Sequence, residues 1–149
     1  ILDRPGEYYF DEAKRKIYLW PRKQPLKLEI GTRSFGITLG RVKHVVIDGL
    51  IIQKHTGNTG AYAIRSAYNF GEKLEGITMK NNEIRYNRLK SGGQQATVQL
   101  SNSSNVVFTK NIVHSNQRAT GVSLGGPNVI VSENIFRKKQ LHSHRNGVR

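Results

Sequence analysis

Basic side chains give this sequence its greatest capacity for chemistry. The 149 residues include 24 lysines and arginines but only 10 aspartates and glutamates, so the formal net charge is +14. Many of these cations fall into four short polar stretches in the later part of the chain. If the stretches lie side by side, their summed field attracts a polyanion. They contain, in order, Lys54 and His55; Arg85, Arg88 and Lys90; His114 and Arg118; and Arg137, Lys138, Lys139, His142, His144 and Arg145.

Metal, thiol and cofactor chemistry find little support in the same sequence. The absence of cysteine excludes disulfides, thiolate nucleophiles and thiolate metal ligands. His142 and His144 have the spacing of a metal-binding pair, but no carboxylate or further ligand is near them, so we predict no metal. The glycine-rich segments 92–93 and 125–126 fit tight turns better than phosphate-binding loops, because no helix follows them. We therefore predict no cofactor.

Nucleic acid is a competing partner for so basic a chain, since phosphates bind the same cations. Binding of bases would also require aromatic rings among the cations, and only Tyr86 and Tyr68 are candidates. Nucleic acid is thus the less favoured polyanion. No apolar run approaches the roughly 18 residues of a membrane-spanning helix, so no membrane partner is predicted.

A sequence repeat indicates how these side chains are positioned. Four segments share the pattern apolar, any residue, apolar, two turn residues, Asn, any residue, apolar. The sixth position is Leu50 in the first segment and Asn82, Asn111 and Asn134 in the others, with spacings of 32, 29 and 23 residues. The alternation predicts two short strands joined by a tight bend at the Asn. A third strand is expected after a polar loop of variable length.

Stacking is what allows such coils to form a core. One coil cannot bury its apolar row, but coils stacked at strand spacing form a continuous interior. The amides of Asn82, Asn111 and Asn134 would then hydrogen bond as a structural ladder from coil to coil. The alternative is an antiparallel sandwich with Asn in hairpin turns. It is less favoured because such turns prefer Asn-Gly, which occurs here only at residues 146–147.

The repeats resemble those of the right-handed parallel β-helix proteins of the pectate-lyase-like superfamily. The segment 105–113, NVVFTKNIV, and its three counterparts are similar to that family's repeat. Residues 2–21 resemble an N-terminal hairpin of bacterial members, followed by a strand like FGITL at 35–39 and an element like HVVIDGL at 44–50. The resemblance implies an all-β, right-handed single-stranded parallel β-helix. It would be one domain over residues 1–149, with a hairpin and first strands at 1–43 and phased coils at 44–149.

The resemblance also implies where a site would lie, namely on the outer face of the strand after the long loop. No residue predicted to point outward there is acidic, and the ten acids fit bend and hairpin positions, so a glycosidase, which needs two nearby carboxyl groups, is not expected. The predicted outward residues are Ala63, Arg65, Gln99, Ser101, Ser123 and Arg149.

An acidic polysaccharide is the ligand that the resemblance implies for the basic loops. Its cleavage by β-elimination needs a base and a cation that stabilises the developing charge, and a basic neighbourhood can depress the pKa of such a base. Our candidates for catalysis are Lys90, Arg88 and Arg118. The predicted substrate-binding residues are Arg65, Arg85, His55, His114, Lys138 and Lys139.

Two further expectations follow from the resemblance. The first is a non-catalytic alternative, in which the chain is a structural or sugar-binding β-helix segment. Family members carry more coils, so we expect this sequence to be part of a longer protein, or else to associate end to end through uncapped coils. Extracellular or periplasmic location is the compartment that the family implies.

Overall fold

The computed structural model of the protein describes residues 2–24, 27–57, 61–67, 73–89, 96–117 and 121–137. The chain divides into two compact units, Ile1–Ile30 and Gly31–Arg149. Across the described residues, no helix is long and apolar enough to cross a membrane.

The first unit contains an antiparallel hairpin of β1 (Tyr8–Asp11) and β2 (Lys16–Leu19). Tyr9 lies directly opposite Tyr18, and their rings stack with centroids 6.3 Å apart. Aromatic and β-branched residues favour such cross-strand pairs. The side chains of Tyr8, Tyr9 and Phe10 are nonetheless exposed.

The second unit is a stack of coils built from short strands that all pair in parallel among the described residues. The strands are β3 (Phe35–Leu39), β4 (Val46–Asp48), β5 (Ile51–Gln53), β6 (Thr56–Gly57), β7 (Tyr62–Ser66), β8 (Leu74–Glu75), β9 (Thr78–Lys80), β10 (Glu83–Arg85), β11 (Arg88–Leu89), β12 (Val98–Leu100), β13 (Ser103–Ser104), β14 (Val106–Thr109), β15 (Ile112–His114), β16 (Val122–Leu124), β17 (Val129–Ser132) and β18 (Ile135–Phe136).

Three four-stranded sheets form the sides of the stack. Sheet 1 contains β3, β7, β12 and β16, sheet 2 contains β4, β9, β14 and β17, and sheet 3 contains β5, β10, β15 and β18. Two-stranded pairs, β6 with β11 and β8 with β13, lie between them in the chain. Each coil thus contributes one strand to each sheet. Because these strands pair in parallel, the alternative of an antiparallel sandwich is wrong.

The core lies between the three sheets because alternate strand residues point inward. Sheet 2 contributes a row of Ile47, Met79 and Phe108, which pair in register and are buried. Sheet 1 adds Ile64 and Val98 in the same manner. Burial of a side chain as large as Phe108 stabilises the fold enough that truncation to Ala costs about 3–5 kcal/mol.

The bend between sheets 2 and 3 has the same backbone conformation in each coil. The residue before the ladder position has positive φ every time, at 69° for Gly49, 55° for Asn81, 54° for Lys110 and 54° for Glu133. A left-handed residue turns the chain sharply enough for the strands on either side to join different sheets. For residues other than glycine this conformation costs roughly 1–2 kcal/mol, which the surrounding hydrogen bonds must offset.

Candidate functional site

A row of polar side chains runs along the outer face of sheet 1. Strand pairing places Thr38 beside Arg65, Arg65 beside Gln99, and Gln99 beside Ser123. Successive members belong to successive coils, so they are spaced by about 4.8 Å. The row, here called the sheet 1 row, contains a cation and three neutral polar groups but no carboxylate.

Arg65 is the charged member of the sheet 1 row, and its guanidinium is held in place from two sides. Its Nε donates a hydrogen bond to Thr38 Oγ1 at 3.3 Å. Its guanidinium carbon lies 3.5 Å from the centroid of the Phe35 ring, a cation–π contact. None of the ion pairs among the described residues involves Arg65. Its charge therefore has no carboxylate partner in that part of the chain.

Two buried oxygens, on strand β12 and just before it, have no hydrogen bond partner among the residues that the structure describes. They are Thr97 Oγ1 and Gln99 Oε1. An unsatisfied buried polar atom costs about 1–3 kcal/mol, so such atoms mark places where a donor would be favourable. Gln99 belongs to the sheet 1 row and Thr97 precedes it by two positions, so both orphan atoms fall at the same part of the sheet.

The other predicted outward positions are placed differently. Ala63, two residues before Arg65 on β7, was predicted to point outward, but it is fully buried and is not accessible to a ligand. The main-chain N–H of Ser101 donates to Ser66 Oγ at 3.1 Å. Arg149 lies outside the described residues.

The asparagine ladder joins sheets 2 and 3 at their common bend. Asn111 Oδ1 accepts hydrogen bonds from the main-chain N–H and Nδ2 of Asn82, at 3.0 and 2.9 Å. Asn134 Oδ1 accepts the equivalent bonds from Asn111, at 2.8 and 3.1 Å. Asn82 and Asn111 are buried. The ladder begins at Leu50, whose N–H donates to Asn82 Oδ1 at 3.0 Å.

A second asparagine ladder, which the sequence analysis missed, follows the first by five residues. The main-chain N–H and Nδ2 of Asn87 donate to Asn116 Oδ1 at 3.0 and 2.9 Å, and both residues are buried. A signal was present in the sequence, since Asn recurs five residues after both Asn82 and Asn111.

His55 ends this second ladder. Asn87 Oδ1 accepts a bond from the main-chain N–H of His55 at 3.1 Å and lies 2.9 Å from its Nδ1. Because Asn87 Nδ2 already donates to Ile52 O and Asn116 Oδ1, its Oδ1 must be the acceptor and His55 Nδ1 must carry hydrogen. The predicted substrate-binding residue His55 thus has a structural role in the coil.

Arg85 and His114, also predicted to bind substrate, meet on the outer side of sheet 3. His114 Nε2 and Arg85 Nη1 lie 2.9 and 2.7 Å from the same Glu83 oxygen. Arg85 Nε donates to Gln53 Oε1 at 2.8 Å. The hydrogen bond from His114 is the main reason that the pKa of the Glu83 carboxyl lies below its usual value, and Arg85 contributes to the lowering. The positive charge here is therefore partly offset by a carboxylate.

Arg88, a predicted catalytic residue, lies in a third place. Arg88 is exposed on β11, where it pairs with Thr56 of β6 and forms a bridge with Gln117. Lys90 and Arg118 lie outside the described residues, as do Lys138, Lys139 and the rest of the fourth basic stretch after Arg137. Arg65, Arg85 and Arg88, the described arginines of the predicted site, thus lie on sheet 1, sheet 3 and the β6–β11 pair. Their assembly into a single basic edge stays a prediction.

A metal site finds no ligand set here. The described ranges contain no group of three or more His, Cys, Asp or Glu side chains arranged to hold a metal ion.

Parallel coils, inward apolar rows and a ladder of asparagines define a class of solenoid protein. The family model for the right-handed β-helix region matches residues 29–148, most of the sequence. The chain belongs to the right-handed β-helix family, as its repeats predict. No curated protein and no solved structure matches it. Family membership establishes the fold and leaves the ligand open.

Proposed function

We propose that this β-helix binds an acidic polysaccharide along the outer face of sheet 1, with Arg65 contacting a carboxylate or sulfate group. The observation that carries the proposal is the charge of Arg65, which has no carboxylate partner among the described residues and lies in a row of neutral polar groups. A planar guanidinium presents paired N–H donors that suit a carboxylate. Its contact with Phe35 holds it in place before a ligand arrives.

The neutral members of the row suit the hydroxyl groups of a sugar. Thr38 and Ser123 are exposed, and their hydroxyl groups can both donate hydrogen bonds to a sugar and accept them from it. A polymer lying along the stack would meet a new polar side chain about every 4.8 Å. The net charge of +14 would speed the approach of any polyanion.

Binding without cleavage is the function that the described geometry favours. No carboxylate and no lysine belongs to the sheet 1 row. The row therefore contains no side chain suited to remove a proton as a general base. Arg88, the described catalytic candidate, lies on a different strand pair. Cleavage through Lys90, Arg88 and Arg118 remains a separate hypothesis.

Calorimetric titration with polygalacturonate and with neutral dextran tests the proposal. Arg65→Gln should weaken polygalacturonate binding about tenfold or more, because a charge-assisted hydrogen bond is worth about 1.5–3 kcal/mol. Arg137→Gln, the matched control, removes an equal charge from an exposed residue outside the row and should change affinity far less. Equal losses in the two variants, or equal binding of dextran, would refute the proposal.

A further inference from the structure

Three side chains on the outer side of sheet 3 form a hydrogen-bonded chain that ends in a serine hydroxyl. Ser115 Oγ lies 2.9 Å from Nδ1 of the neighbouring His114. The other ring nitrogen of His114, Nε2, lies 2.9 Å from Glu83 Oε1. Glu83 belongs to β10 and His114 to β15 in the next coil, and Ser115 follows β15 directly. The order hydroxyl, imidazole, carboxylate is that of a serine nucleophile, its general base and the group that orients the base.

The carboxylate holds the imidazole in the form that a general base requires. An ionised carboxylate only accepts hydrogen bonds, and the pKa of the Glu83 carboxyl lies below its usual value, chiefly because of the bond from His114. In neutral His114 the hydrogen is therefore on Nε2, and the lone pair of Nδ1 faces Ser115 Oγ. The serine hydroxyl then donates to Nδ1, so its proton already points at the base.

Arg85 fixes the carboxylate in turn. Its Nη1 lies 2.7 Å from the same Glu83 oxygen, and its Nε donates to Gln53 Oε1 at 2.8 Å. The side chains of Arg85, Glu83 and His114 are 28%, 29% and 19% exposed, so the group is shielded in part but stays accessible. Nucleophile, base and carboxylate are thus aligned before a substrate arrives, as efficient catalysis requires.

The surroundings of Ser115 suit a substituent on a large molecule. The site lies on the outer side of a sheet, and Ser115 is half-buried. Tyr86 has the corresponding turn position one coil earlier, and its exposed ring meets the His114 ring edge-on with centroids 6.1 Å apart. An exposed aromatic ring gives an alkyl group or a sugar ring a surface to pack on. A polymer could therefore present a substituent to the hydroxyl without entering a deep pocket.

We propose that Ser115, His114 and Glu83 form an esterase site for carboxylic esters, with Ser115 as nucleophile, His114 as general base and Glu83 as a positioning residue. Ser115 Oγ forms a bond to the ester carbonyl carbon while its proton passes to His114 Nδ1. The bond from that carbon to the alcohol oxygen then breaks, and the alcohol leaves with the proton. Water attacks the acyl-serine in the same way, so the carboxylic acid is released and the Ser115 hydroxyl is restored.

Labelling with a fluorophosphonate, followed by mass spectrometry of the peptides, tests the nucleophile. This probe reacts with a serine whose hydroxyl is activated by a base. We expect an adduct at Ser115, formed about 100-fold more slowly or worse in His114→Gln, because a general base contributes at least that much. Ser132→Ala is the matched control, since the Ser132 hydroxyl pairs with that of Thr109, and it should label like wild type. No adduct at Ser115, or equal rates in wild type and His114→Gln, would overturn the proposal.

Turnover of p-nitrophenyl acetate tests the reaction itself and does not depend on polyanion binding. The wild type should hydrolyse the ester repeatedly, and Ser115→Ala should lose this activity. Arg65→Gln should hydrolyse the ester like wild type, because Arg65 lies on sheet 1. The esterase proposal and the polysaccharide proposal can therefore fail separately. A wild type without turnover, or equal turnover in wild type and Ser115→Ala, would contradict the esterase site.

Imidazole NMR of the wild type needs no substitution, so it decides the case in which a variant does not fold. Long-range proton–nitrogen spectra, recorded where His114 is neutral, should show hydrogen on Nε2 and none on Nδ1. Hydrogen on Nδ1 would overturn the proposal, because such an imidazole cannot take the Ser115 proton. Glu83→Ala should give a mixture of the two tautomers and slower labelling of Ser115. An unchanged tautomer with unchanged labelling would contradict the role of Glu83.

Discussion

Asparagine amides hold the coils in register at the scale of single residues. Asn111 is fully buried, and each of its side-chain positions is used. Its Oδ1 accepts two bonds from Asn82, while its Nδ2 donates to Met79 O at 2.9 Å and to Asn134 Oδ1. A buried amide must be satisfied in this way to avoid a desolvation penalty. The asparagine amide offers a carbonyl acceptor and two N–H donors, whereas a serine or threonine hydroxyl offers only one donor.

The cluster on sheet 3 provides a prediction about pH. The pKa of Glu83 is lowered in the folded state, first by His114 and then by Arg85. A carboxyl with a depressed pKa adds stability above the unfolded pKa of about 4.3, and that stability is lost as pH falls through the folded value. Glu83→Gln should therefore be less stable than wild type at neutral pH. The difference should shrink as pH falls below the unfolded pKa of about 4.3 and through the lower folded value.

Urea unfolding from about pH 7 down to pH 3 measures this effect. Glu133→Gln is the control, because Glu133 lies 3.8 Å from Lys110 in an exposed ion pair, and exposed pairs contribute little. A constant difference between wild type and Glu83→Gln across the pH range would show that the carboxylate charge does not stabilise the fold.

Left-handed residues determine the shape of each coil at the scale of elements. Lys54, Tyr86 and Ser115 have φ of 65°, 54° and 52°, and each directly precedes a member of the second ladder or its His55 end. The first ladder has the same arrangement at its own bend. Each coil therefore turns by a left-handed residue followed by an amide or imidazole that bonds to a neighbouring coil.

A glycine pair between β16 and β17 supplies a prediction at this scale. Gly126 has φ of 134°, and a Cβ at this position would overlap the main-chain oxygen of Ser103. Gly126→Ala should destabilise the protein by about 2–4 kcal/mol, because it combines backbone strain with overpacking. Thermal unfolding followed by circular dichroism measures the loss.

The neighbouring glycine is the control for this substitution. A Cβ at Gly125 would come no closer than 3.7 Å to Leu100 O, an ordinary contact. Gly125→Ala should therefore change stability by less than about 1 kcal/mol. If both variants lose the same stability, the close approach of the coils at Gly126 is not what constrains this turn.

Most of the fold could be predicted from the repeat pattern, because every coil needs the same inward apolar residues and the same bend. Alternation fixed the inward rows that include Met79 and Phe108, and the Asn spacing located the bends. The second ladder was missed because Asn87 lies inside what looked like a variable polar loop. Strand alternation cannot show which part of a loop folds back as structure.

The site was less predictable than the fold. Arg65 was expected on the outer face of sheet 1, and the structure places it in the sheet 1 row. The positions of the charges in the sequence could not show that Arg65 differs from the other predicted binding residues. Arg85 and His114 both contact Glu83, and His55 bonds to Asn87. Pairing between side chains distant in sequence depends on register, and register emerges only from the stacked coils.

A response to salt follows at the scale of the whole molecule. The chain carries a formal charge of +14 spread over several surfaces. Attraction of a polyanion to the sheet 1 row must weaken as salt rises, since cations on the ligand are released on binding. Ligand binding should therefore be strongest at low salt.

A titration of isotope-labelled protein with a short oligogalacturonate, followed by amide NMR shifts at low salt, tests the central claim that sheet 1 is the ligand-binding face. We expect the largest shifts at Thr38, Arg65, Gln99 and Ser123, with little change at Gln53 and Arg85 on sheet 3. Shifts centred on sheet 3, or no shifts at ligand excess, would contradict the account.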